Sequence, residues 1–161
     1  MAKNHLIIGL GGTGGKVIRE FRKNIFQDFR VKEFQDLPAN DANRDLRNTY
    51  IRYLYIDSSE RDLSNIDSWK ILGDDVALKE AGKLLLEKQS LKSVLDNIRQ
   101  HDNISPWIGE PDQWPDTIAS GSETAAGQKR RYGRFLFAMN ASRFSENLKS
   151  EGLCCNVTKQ A

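Results

Sequence analysis

Ile7-Ile8-Gly9-Leu10-Gly11-Gly12-Thr13-Gly14-Gly15-Lys16 sets five glycines within seven positions, between an apolar run and an amphipathic one. Residues 3–8 read as a short buried strand, and a helix is expected from about Lys16 to Arg30. In that helix Val17, Phe21, Ile25 and Phe29 recur four apart, and Ile18 and Phe26 widen the apolar stripe. Arg19, Glu20, Arg22 and Lys23 are then expected on the opposite, solvent face. Between strand and helix, Gly9 to Gly15 are predicted to form a phosphate-binding loop. Phosphate needs several backbone N–H groups converging on one point, and glycine removes side chains from that approach and permits positive φ. A helix beginning immediately afterwards adds its free N–H groups and the positive end of its dipole, and Thr13 adds a hydroxyl. The competing reading is a tight turn whose glycines serve only backbone packing.

The kind of nucleotide is a separate question. Gly9, Gly11 and Gly14 satisfy G-x-G-x-x-G, a weak signal that gains from a strand before it and a helix after it. A Walker A loop is excluded, since it needs glycine at Leu10 and Ser or Thr at Val17, and Lys16 is then incidental. A dinucleotide fold places an acid about 20 residues beyond the glycines, at the end of its second strand. Glu33 and Asp36 fall there in a segment without strand character, whereas the strand that is evident ends at Asp57, too late without an insertion.

Further along, residues 31–49 are polar and turn-rich, an expected exposed excursion around Pro38. Tyr50-Ile51-Arg52-Tyr53-Leu54-Tyr55-Ile56 is dense in β-formers and predicts the second strand, with a loop at Asp57-Ser58-Ser59. Residues 60–80 look irregular, with a turn at Gly73-Asp74-Asp75, and a helix is expected over about 76–88. Leu91, Val94, Leu95 and Ile98 predict another helix from Ser90 to Gln100. Residues 101–118 hold three of the four prolines and two of the three tryptophans, which predicts an ordered surface loop. A long helix is expected over about 126–149, with Tyr132, Phe135, Leu136 and Met139 on one face. The expected architecture is α/β, a Rossmann-like parallel sheet flanked by helices.

The stretch Thr117-Ile118-Ala119-Ser120-Gly121-Ser122-Glu123-Thr124-Ala125-Ala126-Gly127-Gln128-Lys129 is the second informative one. Small residues precede a helix start there, which suits either a phosphate contact or an ordinary capped loop. Together these segments resemble the tubulin/FtsZ superfamily of GTPases, and most closely the bacterial tubulin-like proteins. The glycine cluster matches that family's first loop, and Tyr55-Ile56-Asp57-Ser58-Ser59 resembles the second, Asn-Thr-Asp-Ala in FtsZ. Gly121 to Lys129 answers FtsZ's Gly-Ala-Asp-Pro-Glu-Val-Gly-x-Lys.

The resemblance implies a domain that binds GTP or GDP, with Mg²⁺ as a further cofactor. Gly9, Gly11, Gly12, Thr13, Gly14 and Gly15 would form its first loop, with Gly11 to Gly14 on the α- and β-phosphates. Asp57 and Ser58 would lie toward Mg²⁺ or ribose, and Gly121 and Ser122 toward the γ-phosphate. The family's fourth loop, Gly-Gly-Gly-Thr-Gly-Thr-Gly, is not in this sequence, nor is the acidic loop that completes hydrolysis in a neighbouring subunit. The expectation is the N-terminal part of a nucleotide-binding domain over residues 1–150, a disordered tail over 151–161, and no turnover by this chain alone. The resemblance also implies self-association of an intact relative. Two alternatives stay open: an NAD-, FAD- or ATP-binding Rossmann module, including the ThiF-like adenylating type, and an interaction fragment that has lost nucleotide binding.

Bulk properties restrict other classes. A formal net charge of +2 over 161 residues gives no broad footprint for nucleic acid or an anionic membrane. No run approaches the roughly 18 apolar residues of a membrane helix. The only cysteines, Cys154 and Cys155, are adjacent and cannot staple distant segments, so a reduced, cytoplasmic chain is expected. His5 and His101 lack metal-ligand spacing, and no nucleophile–base–acid arrangement is recognisable. Lys129, Arg130, Arg131 and Arg134 form a local basic cluster, which suits either phosphate neutralisation or, more commonly, a solvated helix face. Trp107 and Trp114 suit a self-packed loop better than a docking surface.

Overall fold

The apolar run before the glycines forms strand β1 (Lys3–Leu10), and helix α1 (Gly11–Phe29) starts at the next residue. The computed structural model describes residues 3–38, 43–115, 118, 125–126 and 129–150. After 3-10 turns at Phe34–Asp36 and Arg44–Asn48, the Tyr- and Ile-rich segment forms β2 (Thr49–Asp57). It pairs with β1 in parallel, from Lys3 opposite Thr49 to Leu10 opposite Ile56. Beyond β2 come α2 (Glu60–Ser64) and a two-stranded hairpin, β3 (Lys70–Ile71) and β4 (Asp74–Asp75), turned at Leu72 and Gly73. Strand β5 (Lys83–Leu85) then joins β2, also in parallel, and gives the sheet order β1-β2-β5. Short helices α3 (Leu91–Asp96) and α4 (Ser105–Ile108) precede α5 (Arg130–Met139) and α6 (Ala141–Ser150). This is the expected α/β arrangement, a parallel sheet with helices on its faces.

Alternation along β2 divides the core in two. Tyr53 and Tyr55 point to one face, where they pack with Ile18 of α1, Leu63, Trp69 and Leu78. Leu54 and Ile56 point to the other, against Leu91, Ile108, Tyr132 and Phe135. Strand β1 is an edge of the described sheet, and Leu6, Ile8 and Leu10 on it are 39%, 41% and 60% exposed. None of the described helices is long and apolar enough to cross a membrane.

Several expectations are corrected. Helix α1 begins at Gly11 rather than Lys16, so most of the predicted loop is helical. Its buried stripe is rotated: Ile18, Arg22, Ile25 and Phe26 face inward, while Val17 is 62% exposed. Arg22, expected on the solvent face, is buried. Its Nε donates to the Val76 carbonyl at 2.7 Å, its Nη1 meets Glu33 at 2.9 Å, and its guanidinium lies 4.8 Å from the Tyr53 ring centre. A cation is tolerated in a core when its donors and its charge are both met in this way.

The helix expected over 76–88 is instead a 3-10 turn (Glu80–Gly82) followed by β5. A short apolar run such as Leu84-Leu85-Leu86 has no period that separates a buried strand from a helix, and pairing with β2 decides it. The segment expected as a surface loop sends Ile104, Ile108, Trp114 and Ile118 into the core. It is also self-packed, with Trp107 Nε1 donating to the Asn103 carbonyl at 2.8 Å and Trp114 Nε1 to the Ile108 carbonyl at 3.1 Å. It meets α5 where Arg131 lies over the Trp114 ring at 4.4 Å and Arg134 over Trp107 at 4.1 Å. The helix expected from Ser90 to Gln100 ends at Asp96 and continues as a 3-10 turn (Ile98–Gln100). The tail over 151–161 lies outside the described residues.

The long final helix is broken at Asn140 because that side chain is committed elsewhere. Buried to 2% exposure, it donates Nδ2 to the carbonyls of Leu136 and Glu87 at 2.8 and 3.0 Å. Its Oδ1 accepts from Glu87 N at 3.0 Å and from Arg143 Nη1 at 3.1 Å. One amide thus satisfies both backbone groups of Glu87, just after β5, and ties the last two helices to the sheet. Asn140→Ala removes these bonds of a buried amide, and at about 0.5–1.5 kcal/mol net for a hydrogen bond it should lower unfolding free energy by about 1–3 kcal/mol. Urea denaturation monitored by circular dichroism measures this, and a change below about 0.5 kcal/mol would contradict the role.

Candidate functional site

The glycines divide by where an added Cβ would point. At Gly9 it would lie 2.7 Å from the Gly14 carbonyl oxygen, and at Gly14 it would lie 2.6 Å from the Gly9 carbonyl carbon. At Gly15 it would overlap the ring of Tyr55. These three glycines let α1 approach the sheet closely. Gly11 and Gly12 meet nothing within 4 Å, and Gly11 has φ +64°, a conformation that favours glycine. The packing reading and the bare-backbone reading therefore each hold for part of the cluster.

The N-terminus of α1 is left open. Leu10 at the N-cap provides no side-chain hydrogen bond, and the first turn has no acidic residue. A helix of this length leaves its first N–H groups without intrahelical partners and carries partial positive charge there.

These groups face a broad open cleft of about 1260 Å³, larger than the roughly 300–1,000 Å³ of ordinary small-molecule sites. Its floor is the carboxyl ends of the three parallel strands, reached by Leu10, Asp57 and Leu86, the usual ligand position in open α/β sheets. Of the predicted site residues, Gly11, Gly12, Thr13, Gly15, Asp57 and Ser58 all line this cleft. Gly9 and Gly14 sit behind its wall, and Gly121 and Ser122 lie outside the described residues. A separate hollow of about 320 Å³ lies among Glu60, Leu63, Ser64, Glu80, Lys83 and Leu85, away from the glycines.

The second predicted element is held rigidly. Asp57 is 6% exposed; its Oδ2 accepts from the Tyr55 hydroxyl at 2.7 Å and its Oδ1 from Ser59 N at 3.0 Å. Ser58 Oγ accepts from Ala126 N at 2.9 Å and joins this loop to the segment before α5. Leu86 N donates to the Asp57 carbonyl at 2.8 Å and extends the sheet to the cleft floor. Burial, reinforced by the hydrogen bond to Asp57, pushes the Tyr55 phenol far above its ordinary range.

Sequence reasoning found the basic cluster at Lys129, Arg130 and Arg134 but missed Lys16 and Arg19 as cleft residues. Among the described residues, Lys16, Arg19, Lys129, Arg130 and Arg134 line the cleft against two carboxylates, Asp57 and Asp62. The period of the expected helix already sets Lys16 and Arg19 on one face; that this face borders the cleft depends on how α1 packs on the sheet.

The family model described as tubulin like matches residues 6–153, nearly the whole chain. The chain belongs to the tubulin-like family. No curated protein matches it, and neither does any solved structure. In this tubulin-like chain the family match covers both the glycine turn and the segment around Gly121 and Ser122.

Two outcomes follow from the geometry. Gly15→Ala should destabilise the fold by about 1–3 kcal/mol through the overlap with Tyr55, outweighing the helix propensity it adds. Gly12→Ala should be neutral or stabilising by up to about 1 kcal/mol. Thermal melts of the two variants check this, and equal effects would contradict the division of the glycines.

The second concerns alkaline pH. Burial lifts the Tyr53 phenol from 10.0 to about 12, against the opposing pull of Arg22, and Tyr55 moves the same way. The unfolded chain then loses these protons first, so their contribution is whole below pH 10 and is lost as pH rises toward 12. Unfolding free energy measured across that window should fall, and less steeply in Tyr53→Phe. A flat profile would overturn the assignment.

Proposed function

We propose that this chain binds a guanine nucleotide through the cleft at the carboxyl ends of its parallel strands. The observation that carries the reading is the uncapped α1 N-terminus, where Gly11 and Gly12 present bare backbone to the cleft. Anions bind such termini through converging N–H groups and the helix dipole. The backbone of Gly11, Gly12 and Thr13 would hold the α- and β-phosphates, while Gly9, Gly14 and Gly15 act by letting the helix come close. Membership of the tubulin-like family supports guanine as the base, GTP or GDP as the ligand and self-association of an intact protein. Gly121 and Ser122 would approach the γ-phosphate, as in the family's third loop.

Direct metal ligation by Asp57 fits poorly, since the residue is only 6% exposed and its carboxylate is held by the Tyr55 hydroxyl and the Ser59 amide. No cluster of three or more His, Cys, Asp or Glu able to hold a metal occurs among the described residues. Mg²⁺ would therefore arrive on the phosphates, its usual mode, and no hydrolytic step is assigned to this chain's residues. Asp57 and Ser58 serve instead as the rigid wall below the nucleotide.

One observation favours a second reading. Asp57 ends β2 beside β1, the place where a dinucleotide module carries its ribose-binding acid. Glu33 and Asp36, the acids nearer in sequence, do not serve: Glu33 pairs with Arg22 and Asp36 closes a 3-10 turn.

Calorimetric titration with GTP, ATP and NAD separates the readings. GTP should bind most tightly, and preferential NAD binding would replace the proposal with the second reading. Gly12→Val should abolish GTP binding and leave the circular dichroism spectrum unchanged, because the space at Gly12 opens into the cleft. Undiminished binding by that variant would remove the proposed phosphate cradle.

A further inference from the structure

We infer that Lys16 and Arg130 form a cationic clamp on the outer phosphates, so that the cleft grades guanine nucleotides by phosphate number. This rests on the nucleotide-binding reading above. Among the described residues five cationic side chains line the cleft, and three are engaged with the protein. Arg19 donates to Ser68 Oγ at 3.0 Å, Arg134 stacks on Trp107, and Lys129 has a partner of its own. The side chains of Lys16 and Arg130 are exposed and make no ion pair or hydrogen bond among the described residues.

They also stand on different walls. Lys16 follows Gly15 on α1, while Arg130 opens α5 on the wall that carries Gly133 and Arg134. Arg130 sits unfavourably by itself. It occupies a helix N-terminus whose first turn has no acidic residue and no side-chain cap, beside the cations Lys129 and Arg131. An anion in the cleft would relieve that repulsion and supply the counter-charge both residues lack. The ends of a phosphate chain suit the pair chemically, because a guanidinium matches two phosphate oxygens and an ammonium serves as a point charge. With the bare amides of Gly11 and Gly12 on the inner phosphates, a longer phosphate chain reaches the clamp and a monophosphate does not.

The test is titration of the full chain and of Lys16→Gln, Arg130→Gln and Arg130→Lys with GTP, GDP and GMP at one salt concentration. Circular dichroism confirms that each variant is folded. Each glutamine variant should weaken GTP binding about tenfold, as expected for loss of one charge-assisted contact, and leave GMP binding unchanged. Arg130→Lys should recover part of the loss, and the salt dependence of GTP binding should become shallower in both glutamine variants. Equal losses for all three nucleotides, or none, in a wild-type chain that binds GTP would overturn the clamp and leave the nucleotide site standing. A wild-type chain that binds none of the three would remove the underlying reading and the clamp with it.

Discussion

The contact between the backbone of Gly15 and the ring of Tyr55 governs what surrounds it. A side chain at position 15 and the ring cannot occupy the same space, so the helix approaches the sheet only because the residue is glycine. That approach buries Ile18 against Tyr53 and Tyr55 and brings the first turn of α1 level with the strand ends. The same ring carries the hydroxyl that orients Asp57, and Asp57 in turn orders Ser59. From Ser58 the network passes to Ala126 and the far wall of the cleft. One close approach thereby sets the position of the floor and of both walls.

Glycine-rich turns of this kind carry a conformational cost, since several of the residues that lose most freedom on folding are gathered at one point. The cost is offset further along α1, where Ile18, Ile25 and Phe26 are buried and Arg22 is satisfied by Val76 and Glu33. The two demands are separated along the helix. Its first turn is left bare and uncapped, and its middle and last turns supply the packing that holds it in place.

Much of this was legible in the sequence. The strand–glycine–helix succession and the β-rich Tyr50–Ile56 run identify the α/β class, and six predicted site residues fall on one cleft. What escaped was information held in tertiary pairing. Lys83-Leu84-Leu85 becomes a strand because β2 offers it a partner edge, and nothing in its own period says so. Ile104, Ile108 and Trp114 look like parts of a loop because their apolar character is spread among prolines and polar residues. They are core because the sheet face bearing Leu54 and Ile56 has to be covered. Asn140 carries no sequence mark of a helix break, since its effect comes from Glu87, far away in the chain. The inward turn of Arg22 likewise depends on a carbonyl and a carboxylate that only the fold brings near it.

The position of Asp57 bears most directly on which ligand the cleft suits. Residues 30–48 lengthen the crossover between β1 and β2, which is why an acid so late in sequence ends the strand beside β1. Location alone would favour a ribose partner. A carboxylate that reads a ribose must present free oxygens to the ligand, whereas here one accepts from the Tyr55 hydroxyl and the other from the Ser59 amide within a nearly closed environment. Turning this buried carboxylate outward to a ribose would loosen its hold on the Tyr55 phenol, and that penalty is as large as the stabilisation a new hydrogen bond to ribose would bring. The groups that remain free at the cleft are the amides of the first turn of α1 and the side chains of Lys16 and Arg130 on its walls, and their complement is a chain of phosphates.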